Sequence, residues 1–412
     1  MTEWKESKIK DFAEVKGGKR LPKGKQLTSV PTKHPYIRIR DLGKSKYIEL
    51  NPEIEFVDDE TQLSIARYIV NAGDILISVV GTIGLIGIVG ESLDKANQTE
   101  NCDKIINCTG IEPEYLYYYL ISPFGQEEIK RGTVGAVQPK LPLKNVLDIN
   151  VKYPAIAEQR KIVEILKNVD EKISINERIN NNLEQQAQAV YYKMFSEVNG
   201  EPVELSSIID VRDGTHDSPK AQATGYYLIT SKHLLPFGVD KASANRISKA
   251  DFDKINERSL VETQDILMSM IGTIGLISYI PYEAVDFAIK NMALFKTSHT
   301  PELTYYFLCY LKSEKTLQHI EKCLAGSTQK YISLGELRKM PIYSPTTDEI
   351  REFNYLVKPM FEEIVSRTYE NALLAEMRDT LLPKLLSGEL DVSDIDLSAT
   401  KLLFICLKHI NI

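Results

Sequence analysis

No stretch of this 412-residue sequence reaches the roughly 18 to 20 consecutive apolar residues of a membrane helix, so a soluble chain without membrane contact is expected. The first thirty residues lack the basic start, apolar middle and small-residue cleavage site of a secretory signal, which points to the cytoplasm. Cysteine is scarce. Cys102, Cys108, Cys309, Cys323 and Cys406 are odd in number and scattered, fitting neither a disulfide framework nor the close pairs of a zinc site. Buried thiols are the expected role. The histidines at 34, 216, 233, 299, 319 and 409 are equally dispersed and suggest no metal cluster.

Nucleotide and cofactor motifs are missing too. Gly43-Lys44-Ser45 is only the tail of a phosphate loop, with Arg38 where the first glycine belongs, which argues against an NTPase. There is no Gly-rich turn followed by an acidic residue at dinucleotide spacing, and no Asn/Asp-Pro-Pro-aromatic tetrad, so a methyltransferase is not expected. Asp213-Gly-Thr-His-Asp-Ser218 contains a serine, a histidine and two aspartates, but a triad assembles from distant segments. A polar loop is the better reading, and no catalytic residue is assigned.

What remains is a globular composition, 43% hydrophobic and 26% charged, on a chain long enough for two domains of roughly 150 residues with connecting helices. The net charge of −7 argues against indiscriminate coating of nucleic acid. Its distribution is uneven: residues 1–48 carry 13 Lys/Arg against 5 acids. That stretch is either a solvated basic face or a phosphate-binding one.

The chain repeats itself. Gly73-Asp-Ile-Leu-Ile-Ser-Val-Val-Gly-Thr-Ile-Gly-Leu-Ile-Gly-Ile-Val89 and Gln264-Asp-Ile-Leu-Met-Ser-Met-Ile-Gly-Thr-Ile-Gly-Leu-Ile-Ser-Tyr-Ile280 share 10 of 17 positions at an offset of 191. The same offset carries Gly135-Ala-Val-Gln138 onto Gly326-Ser-Thr-Gln329 and Tyr153-Pro154 onto Ser344-Pro345. With small shifts, Phe12 to Gly18 matches Ile208 to Gly214, and Pro113-Glu-Tyr-Leu matches Pro301-Glu-Leu-Thr. The apolar runs ending in Gly-Thr-Ile-Gly predict buried strand, tight turn, strand, and the Pro113 and Pro301 segments predict helices with aromatic inner faces.

After Pro154, apolar residues fall at alternating steps of four and three: Ile162, Leu166, Val169, Ile173, then Asn176 and Asn180, then Leu183 and Val190. After Pro345 the second copy gives Phe353, Val357, Ile364, Asn371, Leu374 and Leu381. These are heptad seams. Pro359 is expected to kink or interrupt the second. Each helix needs a partner for its apolar stripe, and the other copy, running antiparallel, supplies one. The asparagines would fix register. The expected fold class is α+β: two globular α/β heads with β-rich cores, separated by two long antiparallel coiled-coil helices in a pseudo-two-fold internal repeat.

These blocks resemble the specificity subunit of type I restriction-modification systems. The resemblance covers residues 3–396 and is carried by Gly18-Lys-Arg-Leu-Pro-Lys-Gly24, Asp213-Gly-Thr-His-Asp-Ser-Pro219, Ile229-Thr-Ser-Lys-His-Leu234 and the duplicated Gly-Thr-Ile-Gly blocks. Pro154-Ala-Ile-Ala-Glu-Gln-Arg-Lys-Ile162 and Leu381-Leu-Pro-Lys-Leu-Leu-Ser-Gly-Glu-Leu390 complete it. It implies target recognition domains at 1–153 and 199–344, conserved helices at 154–198 and 345–390, and a tail at 391–412 that is unlike the usual ending. It further implies a noncatalytic subunit reading a bipartite double-stranded DNA target. The helices would set the spacer and dock two modification (methyltransferase) subunits, and restriction (translocase-nuclease) subunits would then join. S-adenosylmethionine, ATP and magnesium would belong to those partners. Thr346-Thr-Asp-Glu-Ile350 departs from Ala155-Ile-Ala-Glu-Gln159, so the two copies are expected to differ in docking strength.

Base reading needs Arg, Lys, Asn or Gln side chains on loops, while phosphate contacts position the domain. The first-domain candidates are Lys19, Arg20, Lys23, Lys25, Arg38, Arg40, Lys44, Gln138 and Lys140. Those of the second are His216, Ser218, Lys220, Thr230, Lys232, His233, Gln329 and Lys330. The competing reading is a coiled-coil scaffold with two protein-binding heads.

Overall fold

A computed structural model describes residues 4–195, 201–326 and 330–393. Gln329 and nearly all of the 391–412 tail lie outside the described residues. The chain forms two compact units, residues 1–173 with 372–412 and residues 174–371, so each contains one head and a part of both long helices. No helix among the described residues is long and apolar enough to cross a membrane.

In the first unit a five-stranded sheet runs in the order Glu14–Gly17, Cys102–Ile106, Ile75–Ser78, Ile86–Val89, Tyr47–Ile48. Ile75 stands opposite Ile105 on one side and Ile88 on the other. Ile75 and Ile77 face a core containing Tyr115, whereas Leu76 faces a second core with Val89 and Cys102. A strand covered on both faces needs a continuous apolar run, which is why this segment reads Ile-Leu-Ile-Ser rather than alternating. Each such buried side chain contributes about 1.5–3 kcal/mol.

The second unit repeats the plan with four strands, Val211–Asp213, Met292–Phe295, Ile266–Ser269 and Ile277–Tyr279. Ile266 stands opposite Phe295 and Tyr279, and its neighbour Leu267 again faces a separate core, with Leu294 and Phe287. Both copies of the Gly-Thr-Ile-Gly turn are built alike. Ser78 Oγ donates to the Thr82 carbonyl (2.6 Å) and accepts from Leu85 N (2.8 Å); Ser269 does the same with Thr273 (2.5 Å) and Leu276 (2.9 Å). The turn glycines hold φ between +77° and +86°, a region that a side chain would strain.

The aromatic helices are Pro113–Ile121 and Thr304–Leu311. Tyr115 donates to the Lys152 carbonyl and Tyr306 to the Tyr343 carbonyl, at 2.9 and 2.6 Å. Donor and acceptor are both displaced by 191, so the helices correspond at the unshifted offset. Pro301–Leu303, which the matching Pro-Glu pair suggested as the helix start, forms a separate 3-10 turn ahead of it.

The long helices are Ile156–Phe195, here the central helix, and Thr347–Ser387, the distal helix. They run antiparallel in each unit: Arg378 meets Asp170 in the first, and in the second Asn180 meets Thr368 while Tyr191 packs on Phe353. Of the seam positions, Ile162, Leu166, Val169, Phe353, Val357, Ile364, Leu374 and Leu381 are buried, and Ile173, Leu183 and Val190 are half-buried. Pro359 does not interrupt the distal helix. Its missing N–H and ring cost about 3 kcal/mol, but Phe353, Val357 and Phe361, all buried around it, outweigh that cost.

The joints between head and helices differ in chemistry. In the first unit Lys46 Nζ donates to Tyr118 (3.2 Å), Tyr118 to Asp170 (2.6 Å), and Arg378 also donates to Asp170 (3.1 Å). In the second, Phe361 stands where the repeat places Asp170, stacked on Tyr305 at 5.0 Å with Phe237 at 6.4 Å.

Candidate nucleic-acid interface

In each head the first strand of the sheet releases its chain at a glycine pinned to the sheet end. Gly18 N donates to the Cys102 carbonyl (3.1 Å) and Lys19 N to Gln98 (3.4 Å); Gly214 N and Thr215 N donate to Met292 (2.9 Å) and Ile289 (3.0 Å). A Cβ on Gly18 would run into the Thr99 carbonyl, and one on Gly214 into the Ile289 carbonyl. The released loops return to the fold at Thr28, paired with Phe56, and at Gln222, paired with Arg246.

Two further segments reach the same sheet end. Val79, leading into the Gly81 turn, accepts from Leu141 N (2.8 Å), and Lys140 closes a small hairpin with Val134 (2.9 Å) that carries Gln138. In the second head Ile332 N donates to the Met270 carbonyl (3.0 Å), beside a hairpin closed by Ala325 and Tyr331. Gln138, Lys140 and Lys330 are exposed, and Val137 at the first hairpin's tip is 95% exposed.

The third segment follows the strands Pro35–Ile37 and Tyr226–Ile229. Each passes into a 3-10 turn whose leading N–H is accepted by the residue three on: Arg38 N by Asp41 Oδ2 (2.7 Å), Thr230 N by His233 Nδ1 (3.0 Å). Because the N–H can only donate, Nδ1 is unprotonated. Burial, with Lys232 beside it, holds the His233 pKa below its ordinary value. His233 therefore points into the turn as a neutral acceptor, whereas Lys232 is exposed and Thr230 half-buried.

The basic stretch of the first head is largely neutralised within the chain. Arg20 pairs with Glu100 (2.7 Å), Lys44 with Glu53 (2.6 Å), and Lys25 with Glu60 (2.6 Å) and Asp58 (3.3 Å). Glu55 bridges Arg38 and Arg40, the latter at 2.9 Å, and so holds two guanidinium groups side by side. The Glu60 hydrogen bond raises the Lys25 pKa. Lys19, Lys23, Lys33 and Lys140 have no ion-pair partner among the described residues. Exposed pairs are worth about 0–1 kcal/mol, so a phosphate can replace their carboxylates at small cost. These acids lie 9 to 80 residues from their partners in sequence, out of reach of any local motif.

In the second head His216 is held between Asp213 Oδ2 (Nε2, 2.9 Å) and Asn291 Oδ1 (Nδ1, 2.9 Å), and Lys290 Nζ donates to Ser218 (2.5 Å). Lys220 is exposed. Arg258, on the helix Lys249–Ser259, reaches Asp213 as well and was absent from the sequence-derived set because no motif surrounds it. Among the described residues no three His, Cys, Asp or Glu are close enough to hold a metal ion. Burial pushes the Cys102 thiol up to about 12, away from thiolate chemistry.

Comparison with known proteins bears on what this surface serves. Residues 1–185 and 197–353 match the family model for the type I restriction modification DNA specificity domain. The chain is 25% identical to the type I restriction enzyme MjaIX specificity subunit of Methanocaldococcus jannaschii, over 95% of both chains. It is 23% identical to the HindI specificity subunit of Haemophilus influenzae, across 69% of this chain and 79% of that one. The solved S subunit of a type I restriction-modification system from M. genitalium aligns with a TM-score of 0.52 at 16% identity, covering 93% of this chain and 96% of that one. That last likeness is one of fold.

Proposed function

The chain belongs to the type I restriction-modification DNA specificity family, and from that membership we infer how its heads and helices divide the work. It is a DNA-recognition subunit with two target recognition domains, and catalysis lies on partner subunits. Each head reads one half of a bipartite duplex target with the segments that converge on its sheet end. That twofold convergence, in two heads built on one repeat, is the observation that carries the reading. Lys19, Lys23 and Lys140, without an ion-pair partner among the described residues, supply phosphate contacts in the first head. The Arg38–Glu55–Arg40 cluster offers fixed guanidinium groups for base edges.

The antiparallel helices set the spacing of the half-sites and dock two modification subunits, with restriction subunits joining afterwards. S-adenosylmethionine, ATP and magnesium are bound by those partners, and the assembly works in the cytoplasm, where its DNA is. The test is selection from randomised duplexes by the full chain co-purified with its modification subunit. Two specified blocks separated by an unspecified spacer are expected, and a single block or no consensus overturns the reading.

A further inference from the structure

The second head contains a cleft of about 700 Å³ between the loop that starts at Gly214 and the helix Lys249–Ser259. His216, Ser218, Lys220, Asp251, Lys254 and Arg258 are among its lining residues. The loop wall is held in place by the His216 and Ser218 contacts to Asp213, Asn291 and Lys290. The helix wall projects Arg258. Its Nη2 is gripped by the Asp213 carboxylate and by the carbonyls of Asp213 (3.3 Å) and Gly214 (3.4 Å). Its Nε and Nη1 have no partner among the described residues, and the side chain is 61% exposed.

We propose that Arg258 is a specificity-determining residue of the second head, reading the O6 and N7 acceptors of a guanine in the half-site that this head recognises. The assignment rests on the DNA-reading role above. An arginine already oriented by a carboxylate and two carbonyls loses little further freedom on docking, and paired acceptors match the Nη1–Nη2 edge of its planar fork, which Nη2 can complete with its second hydrogen. Guanine O6 and N7 are the commonest such pair in the major groove. A phosphate suits Lys220 and Lys254 of the same cleft better, because they have no ion-pair partner among the described residues whereas Asp213 already neutralises Arg258; guanine's acceptors are neutral.

In the first head the 191-residue offset places Arg67 at this position, exposed on the 3-10 turn Ala66–Tyr68 beyond the helix Asp59–Ile65 and without an ion pair among the described residues to orient it as Asp213 orients Arg258. Arg258 belongs to the second head alone, so the effect of changing it is confined to one half-site.

The full chain with its modification subunit, incubated with randomised duplexes whose bound fraction is sequenced, tests this. Arg258→Lys keeps the charge and loses the fork; it should lower guanine preference at one position of one block by roughly 5- to 150-fold, with the other block unchanged. Arg258→Gln should move that position toward adenine, which glutamine reads through N6 and N7. An unchanged consensus overturns the assignment. So does erosion of that whole block together, which makes Arg258 a support for the loop, or a uniform loss with the salt slope smaller by about one, which places it on a phosphate. If the unsubstituted protein selects no bipartite consensus, the DNA-reading role itself fails, a result distinct from these.

Discussion

Arg367 Nη1 donates to Asn176 Oδ1 at 2.8 Å across 191 residues, the offset of the internal repeat. Position 176 of the central helix thus meets its own counterpart in the distal helix. Asn176 is fully buried and also donates to Glu370 (2.7 Å) and Asn371 (2.8 Å), so a polar layer interrupts the apolar seam where the two copies meet.

Asn176→Leu is expected to destabilise the protein by about 1.5–3 kcal/mol, because it removes a bond to a charged group and leaves the guanidinium against an apolar side chain. Combining it with Arg367→Leu should cost less than the two single losses together, since the Nη1 left without its acceptor goes too; Nη2 keeps Glu363 in the single variant. Urea unfolding of the four proteins measures this, and strictly additive losses would contradict it.

Glu60→Gln should strengthen binding to arbitrary duplex DNA at low salt by freeing Lys25 for phosphate, and steepen the log-affinity against log-salt slope by about one. Asp58→Ala frees the same lysine but also removes the cap that accepts from Thr61 N (2.6 Å). It should therefore lower the melting temperature where Glu60→Gln does not. A slope unchanged in both variants would remove Lys25 from the DNA-facing set.

Asp103 is 5% exposed, its Oδ2 has no hydrogen-bond partner, and burial pushes its pKa up to about 6. Its counterpart in the second head is Ala293, opposite Met268 as Asp103 is opposite Ile77. A carboxyl with a raised folded pKa contributes stability that is complete below about pH 4 and lost as pH rises through about 6. Asp103→Asn should therefore be the more stable protein at pH 7.5, by about 1–3 kcal/mol, with the difference shrinking toward pH 4. Thermal melts of both proteins across that range decide it, and a pH-independent difference would refute the buried-carboxyl account.

The unlike joints should fail differently. Tyr118→Phe removes the bond to Asp170 and is expected to cost about 1.5–3 kcal/mol. Phe361→Ala empties a buried site against Tyr305 and should cost about 3–5 kcal/mol. Denaturant unfolding of each variant against the unsubstituted protein tests the ordering.

The strand–turn–strand blocks were legible because their apolar runs, Ser78 and Ser269, and the turn glycines sit within a few residues of one another and admit few other structures. The helix offset was misread because Pro113-Glu and Pro301-Glu look alike, although the second opens a 3-10 turn; the hydroxyl contacts of Tyr115 and Tyr306 set the true register. Pro359 sits within a helix that neighbouring burial keeps intact, an energy that local propensity does not contain. The pairing of Lys25 and Arg38 was hidden because Asp58 and Glu55 come from other elements. His233 carried a usable signal. Asp41 occupies the same place in the first head's turn, and an acceptor common to an aspartate and a histidine suggests a cap.

The loops rooted at Gly18 and Gly214 are tied to the sheet at both ends by main-chain bonds, and the second is the shorter. Doubling such a loop costs only about 0.6 kcal/mol in closure entropy. Insertions, deletions and exchanges between the two ties can therefore accumulate without reaching the buried strands. On the reading proposed above, selection can edit what each head recognises in a segment whose variation folding barely registers.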